Sequence, residues 1–177
     1  MKFLSTNVAG VFIVETEPRT DERGFFARTF CQQEFAAQGL HTQFLQGNMS
    51  YNHKLGTLRG MHWQDAPHAE VKVVRCTQGV IFDVALDLRR DSPTYLQWAG
   101  VELSAENARS LYIPKGCAHG YLTLSPNAEI HYLVSTFYAS THDRGARWDD
   151  PAFEIKWPDT AQRIISARDE AHPLWTP

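Results

Sequence analysis

From residue 43 onward, apolar and polar positions alternate along the chain in short runs. In residues 80–88, Val80, Phe82, Val84, Leu86 and Leu88 fall on one face, while Ile81, Asp83, Ala85 and Asp87 fall on the other. That two-residue period is the signature of a β-strand. The same pattern predicts strands over residues 44–50, 58–64, 71–76, 96–103, 110–113, 121–124 and 130–138. Turn formers separate them: Gly56, Pro67, Gln78-Gly79, Asp91-Ser92-Pro93, Pro114-Lys115-Gly116 and Ser125-Pro126-Asn127. Many short strands at such intervals point to a β-sandwich or barrel.

The N-terminal part reads as a strand over residues 11–16, a polar turn over 18–24, and a second extended piece beginning at Phe25-Phe26. Residues 30–38 form the best helix candidate, stopped by Gly39. The tail from Asp149 is irregular, and a short helix is expected to start at Ser166. There is no internal repeat, low-complexity segment or linker, so residues 1–177 are expected to form one domain.

Composition narrows the function. Hydrophobic residues make up 43% and charged residues 21%, with a formal net charge of −3. That balance argues against a general nucleic-acid or membrane binder. No apolar run suits a signal peptide or approaches a membrane span. Cys31, Cys76 and Cys117 are widely spaced and include no CxxC pair, so neither a disulfide framework nor a zinc ribbon is indicated. A reducing cytoplasm is the expected location.

Within this frame, Thr57-Leu58-Arg59-Gly60-Met61-His62-Trp63-Gln64 sets a cation and an imidazole on a strand, and Lys72 follows on the next. A histidine such as His62, taken alone, reads as a hydrogen-bonded core or surface residue. Arg59 and Lys72 beside it call for a balancing anion, such as a bound phosphate. Pro114-x-Gly116-x-x-His119 resembles the second motif of the cupins, in which a tight turn aims the histidine into a small barrel. Metal cupins also carry His-x-His and a glutamate, whereas here the matching stretch is His62-Trp63-Gln64. Two candidate ligands are too few for a firm transition-metal site, so a barrel without a metal is expected. Tyr132 reads either as a packed core tyrosine or as a phenolic proton donor. Asp169 completes a capping box with Ser166, or orients His62 as a carboxylate does in a triad.

These residues together resemble the dTDP-4-dehydrorhamnose 3,5-epimerase family. The likeness runs from about Val11 to Leu174. It is carried by Asp21-Glu22-Arg23-Gly24-Phe25-Phe26, Leu58-Arg59-Gly60-Met61-His62, Lys72-Val73-Val74-Arg75, Phe82-Asp83-Val84-Ala85-Leu86-Asp87-Leu88-Arg89, Leu103-Ser104-Ala105-Glu106-Asn107, residues 113–121 and 128–138, and Trp148-Asp149-Asp150-Pro151.

The resemblance implies a mainly β, cupin-like jelly-roll barrel with a few short helices, needing neither cofactor nor metal. It implies a homodimer with exchanged N-terminal strands, and a nucleotide-diphosphate keto sugar as substrate. The reaction would be epimerisation at carbons 3 and 5 of a dTDP-linked 4-keto-6-deoxyhexose, in deoxysugar and surface-polysaccharide biosynthesis. By position, His62 would be the base, Asp169 its orienting partner, Lys72 the stabiliser of the enolate oxygen and Tyr132 the acid. Arg23, Phe26, Arg28, Gln46, Asn48, Arg59, His119, Tyr138, Asp143 and Arg168 would bind substrate, with the arginines on the diphosphate and Tyr138 on the nucleobase.

Several positions depart from the family. Arg28 and Asp143 each stand where glutamate is usual, Arg168 where lysine is usual, Cys117 for a phenylalanine and Leu133 for a lysine. Gly47 stands where an acidic residue is common, and Glu70-Val71 replaces Gln-Gly. These departures keep a CDP- or GDP-linked sugar, or inversion of a single carbon, as alternatives. A metal-dependent cupin and a non-catalytic nucleotide-sugar binder are the rivals from other classes.

Overall fold

Both faces of the best-patterned strand are buried, and that dictates a layered architecture. In the computed structural model, which describes residues 1–176, the strands are β1 (Lys2–Ser5), β2 (Phe12–Glu15), β3 (Arg19–Asp21), β4 (Gly24–Phe26), β5 (Gln46–Asn52), β6 (Leu58–Gln64), β7 (Lys72–Gln78), β8 (Val80–Asp87), β9 (Trp98–Ser104), β10 (Ser110–Ile113), β11 (Cys117–Thr123), β12 (Ala128–Val134) and β13 (Asp143–Gly145). Two short helices accompany them, α1 (Gln32–Ala37) and α2 (Ala167–Glu170). A six-stranded sheet in the order β1-β2-β10-β7-β12-β5 faces a five-stranded sheet in the order β13-β6-β11-β8-β9, and β3-β4 forms a separate hairpin. The strand pairs within these sheets are antiparallel.

The interior is shared by the two sheets. Val74, Leu111 and Ile130 from one pack with Ile81, Ala85 and Leu103 from the other. The opposite face of β8, with Val84 and Leu86, is covered by Phe153 and Trp157 of the irregular tail, together with Leu58 and Met61. Helix α1 closes the outer face of the larger sheet, where Phe35 meets Phe3, Phe30 and Phe44 edge-on at 4.9–6.5 Å. Gly39, at φ +69°, follows the helix as its expected stop.

The acidic side of β8 points inward with Ile81 and Ala85. Asp87 is fully buried and accepts hydrogen bonds from Arg89, Ser92 and Thr94. Burial alone would raise its carboxyl, but these partners outweigh it and hold the group down to about 2. A folded-state value below the unfolded one adds stability above the unfolded value of about 4, lost as pH falls through about 2. Asp87→Asn is therefore expected to cost about 2 kcal/mol at neutral pH. Urea denaturation of both proteins should show that gap shrinking steadily between about pH 4 and about pH 2.

Several boundaries differ from the sequence expectation. Residues 18–24 are not one turn, because β3 and β4 pair Arg19 with Phe26 and leave only Glu22-Arg23 at the tip. Strand β11 starts at Cys117 rather than at residue 121, since β8 offers partners all the way back to Asp87. Strand β12 stops at Val134 rather than at residue 138, because Val134 already pairs with Gln46 and Lys72, where both neighbouring strands begin. Tyr138 thus leaves the strand that carries Tyr132.

Candidate active site

A bulge aims the basic side chains. Across the β6–β11 pair, His62 faces His119 and Arg59 faces Tyr121, so three steps on β6 match two on β11. The extra residue resets the alternation, and two side chains three apart both line the same cavity. Glycine is required at the bulge. Gly60 has φ +124°, and a Cβ there would lie 2.5 Å from the Gly120 Cα.

His62 and Asp169 meet although 107 residues separate them. The His62 Nε2–H donates to Asp169 Oδ1 at 2.8 Å, and the Gly60 N–H donates to Oδ2 at 3.2 Å. Asp169 is placed by α2, where the Ser166 hydroxyl caps the helix by accepting from the Asp169 N–H, which leaves the Asp169 carboxylate to bind His62 and Gly60. Burial raises the Asp169 carboxyl, but the hydrogen bond and charge of His62 outweigh that and hold it below its ordinary range. His172 lies beside the pair, 3.8 Å from Asp169 Oδ1 and edge-on to His62 at 5.8 Å. Burial, with His62 nearby, lowers its imidazole and keeps it neutral at pH 7.

Lys72 and Tyr132 enter from the facing sheet. The Lys72 ammonium sits 3.1 Å from Glu70 Oε1, and both side chains are nearly buried. The Gln64 amide donates to the other Glu70 oxygen at 3.1 Å. The Tyr132 phenol is raised by burial and by Glu70, so it keeps its proton at neutral pH. His62, Lys72, Tyr132 and Arg168 all line both a cavity of about 650 Å³ and an adjoining one of about 210 Å³, which form one cleft.

Arg59 and His119 also line the larger cavity, Arg59 exposed and His119 buried. Arg59 Nε donates to Asn52 Oδ1 at 2.9 Å, and His119 Nε2 donates to the buried Asp83 at 2.7 Å. The two barrel histidines that a metal-cupin reading would pair are each bound to their own carboxylate. At the rim, the Tyr138 hydroxyl and the Arg168 guanidinium both donate to Asp143, and the Tyr138 N–H donates to Gln46. Burial raises the Asp143 carboxyl, but Arg168 and Tyr138 outweigh it and hold it low. Asn48 lines the smaller cavity directly opposite Tyr132 on the neighbouring strand.

Three expected residues lie outside this cleft. Arg23 is exposed and paired with Asp21, Phe26 is 71% exposed, and Arg28 pairs with Glu34 beside a different pocket. They sit on or next to the β3-β4 hairpin, which is hydrogen-bonded to neither large sheet. Within one chain, then, the expectation that they join the others is not met. Sequence reasoning also missed cleft residues. Ser50, Asn52 and Tyr121 form a hydrogen-bonded cluster beside Arg59, and Glu70 holds Lys72. A signal for the first two existed, because Gln46, Asn48, Ser50 and Asn52 alternate as a polar stripe while Met49 and Tyr51 face outward.

Residues 5–176 match the family model described as dTDP-4-dehydrorhamnose 3,5-epimerase. A relative of that name from Shigella flexneri is 46% identical over 170 residues, covering 96% of this chain and 93% of its own. The crystal structure of the Bacillus anthracis enzyme of that name, with TDP and PPi bound, is 41% identical, with a TM-score of 0.94 over 98% of this chain and 99% of that one. A Legionella pneumophila dTDP-6-deoxy-D-glucose-3,5-epimerase, in complex with dTDP-4-keto-L-rhamnose, is 37% identical, with a TM-score of 0.92 over 98% of this chain and 92% of that one. The facing antiparallel sheets are thus the cupin-like, mainly β barrel of these epimerases.

Proposed function

The chain belongs to the dTDP-4-dehydrorhamnose 3,5-epimerase family, and from that premise we propose that it inverts carbons 3 and 5 of a dTDP-linked 4-keto-6-deoxyhexose. It is an isomerase serving deoxysugar and surface-polysaccharide biosynthesis. The observation that carries the assignment of roles is the His62–Asp169 hydrogen bond at 2.8 Å, in the same cleft as the Tyr132 phenol.

With Asp169 holding Nε2–H, the lone pair of His62 is on Nδ1. It takes the proton from the carbon next to the ketone, and the C–H electrons become the enolate double bond. The carbonyl oxygen at carbon 4 receives the displaced pair, next to the Lys72 ammonium. Tyr132 delivers its phenolic proton to the opposite face of the same carbon, which inverts it. The phenolate and the imidazolium then exchange protons with solvent, and the cycle repeats at the second carbon. Arg59 suits the diphosphate, while His119, Gln46, Asn48, Tyr138, Asp143 and Arg168 frame the rest of the substrate.

Arg23, Phe26 and Arg28 act, in this reading, in the cleft of a second copy. The free β3-β4 hairpin supports a homodimer with exchanged N-terminal strands, since Phe25 and Phe26 are 60% and 71% exposed at its end. The shared interior of the two sheets supports residues 1–177 as one domain. A cytoplasmic location fits the substrate class and three free thiols.

Proton NMR in deuterium oxide with dTDP-, CDP- and GDP-linked keto sugars tests the reading. Deuterium should enter carbons 3 and 5 of the dTDP sugar without added metal. Turnover of only the CDP or GDP sugar, or deuterium at one carbon alone, would contradict it. In the same assay Lys72→Met should slow exchange roughly 10–100-fold, less than the ~10²–10³ typical of an oxyanion donor, because Glu70 already offsets part of the charge.

A further inference from the structure

Three donors, the base, its carboxylate and a histidine the proton shuttle does not use, converge at one point beside the cleft. His62 Nε2, Asp169 Oδ1 and His172 Nε2 all lie within 4.8 Å of one another. The two contacts to the carboxylate oxygen are 2.8 Å and 3.8 Å. The His172 Nε2 is buried and has no hydrogen-bond partner among the described residues. Its ring packs against β13, where a Cβ on Gly145 would come within 2.2 Å of that same nitrogen. A polar atom buried in this way, with nothing to bond, is costly and asks for a partner.

We propose that this trio is an inhibitory site for a borderline divalent cation of the Zn²⁺ class. Two neutral imidazoles and one carboxylate are a donor set that zinc takes with an open fourth position for water. Bonds of about 2.0–2.2 Å place neighbouring tetrahedral donors roughly 3.4 Å apart. The two carboxylate contacts already bracket that spacing. The two imidazoles would close toward each other by a modest rotation of their rings.

The regulatory consequence rests on the function proposed above. An ion on His62 Nε2 displaces the proton now shared with Asp169. The neutral ring then carries its one proton on Nδ1, and the lone pair that accepts the substrate proton is gone. The substrate cavity itself stays open, because the ion sits on the far side of the imidazole. Zinc should therefore lower kcat and leave KM nearly unchanged, and a chelator should restore full rate.

The test uses Co²⁺ and Zn²⁺ on the full chain and on His172→Asn. Addition of Co²⁺ should produce visible absorption bands of a low-coordinate His–carboxylate site, and Zn²⁺ should bleach them. Zinc should stop solvent exchange reversibly. Losing one of three ligands should weaken both effects at least about tenfold, at minimum what loss of an outer-shell partner costs. Metal-free His172→Asn should keep its exchange rate, which also reports that it is folded. Equal zinc sensitivity in the two proteins, or no cobalt bands in the parent, would overturn the site. The cobalt arm needs no turnover, so bands without any sugar epimerisation would refute the function and leave the metal site standing.

Discussion

His62→Asn is expected to reduce deuterium incorporation at both carbons by roughly 10³–10⁴-fold, the upper range for a general base. The upper range applies because the protein offers no substitute. Asp169 is nearest, but one oxygen accepts from the Gly60 N–H and the other can accept from the asparagine amide that replaces the ring. His172 lies edge-on behind His62 rather than in the cavity, among the lining residues of neither pocket. Asparagine is smaller than the imidazole but can still donate to Asp169, so circular dichroism and the urea midpoint should move little. Asp169→Asn should lose less than His62→Asn, since it disturbs tautomer and orientation rather than removing the base. The double variant should fall little below His62→Asn, because the two act as a unit. Exchange surviving in His62→Asn at more than a few per cent of the parent rate would put the base elsewhere.

The sequence made the strand sequence of the barrel legible because alternation is a local property. Strands β6 and β10 appear with the expected bounds, since turn residues flank them tightly and their partners span their whole length. Strands β1 and β13 are invisible to that reasoning. They are four and three residues long, largely solvated, and defined by the strands they pair with. The same limit governs the site. The identities of His62, Lys72, Tyr132 and Asp169 could be read from motifs and resemblance. Their meeting could not, because it needs a bulge at Gly60 and a tail that crosses the smaller sheet to deliver α2. Asp169 shows the problem most plainly. Its N–H, capped by Ser166, is a local feature, while its contact with His62 spans 107 residues and no local pattern could place it. His172 gave no local signal at all, and Glu70 stood out only as a departure from the family, with no role attached. One follows a short helix and the other precedes a strand, and neither position is distinguished by pattern.

Tyr132→Phe is expected to separate two events that occur together in the parent. Proton removal depends on His62, held by Asp169, and on the enolate stabiliser Lys72, held by Glu70. Reprotonation on the opposite face depends on the phenol, which burial and Glu70 keep protonated at neutral pH. Phenylalanine retains the ring that packs against the barrel core but cannot deliver a proton. Deuterium should therefore still wash into the starting sugar, through return of a solvent-exchanged proton from His62 to the face it came from. Inverted product should fall by about 10²–10⁴-fold, the contribution of a positioned general acid. The diagnostic quantity is the ratio of exchange to inversion, which should rise by the same factor. If both rates fell together, Tyr132 would be acting through packing or binding, and the ratio would not move. If inversion persisted while exchange remained, a water or another side chain would be supplying the second proton. The phenol next to Arg59, Tyr121, would be the first residue to examine, because its hydroxyl opens into the same cavity and bonds Ser50 and Asn52.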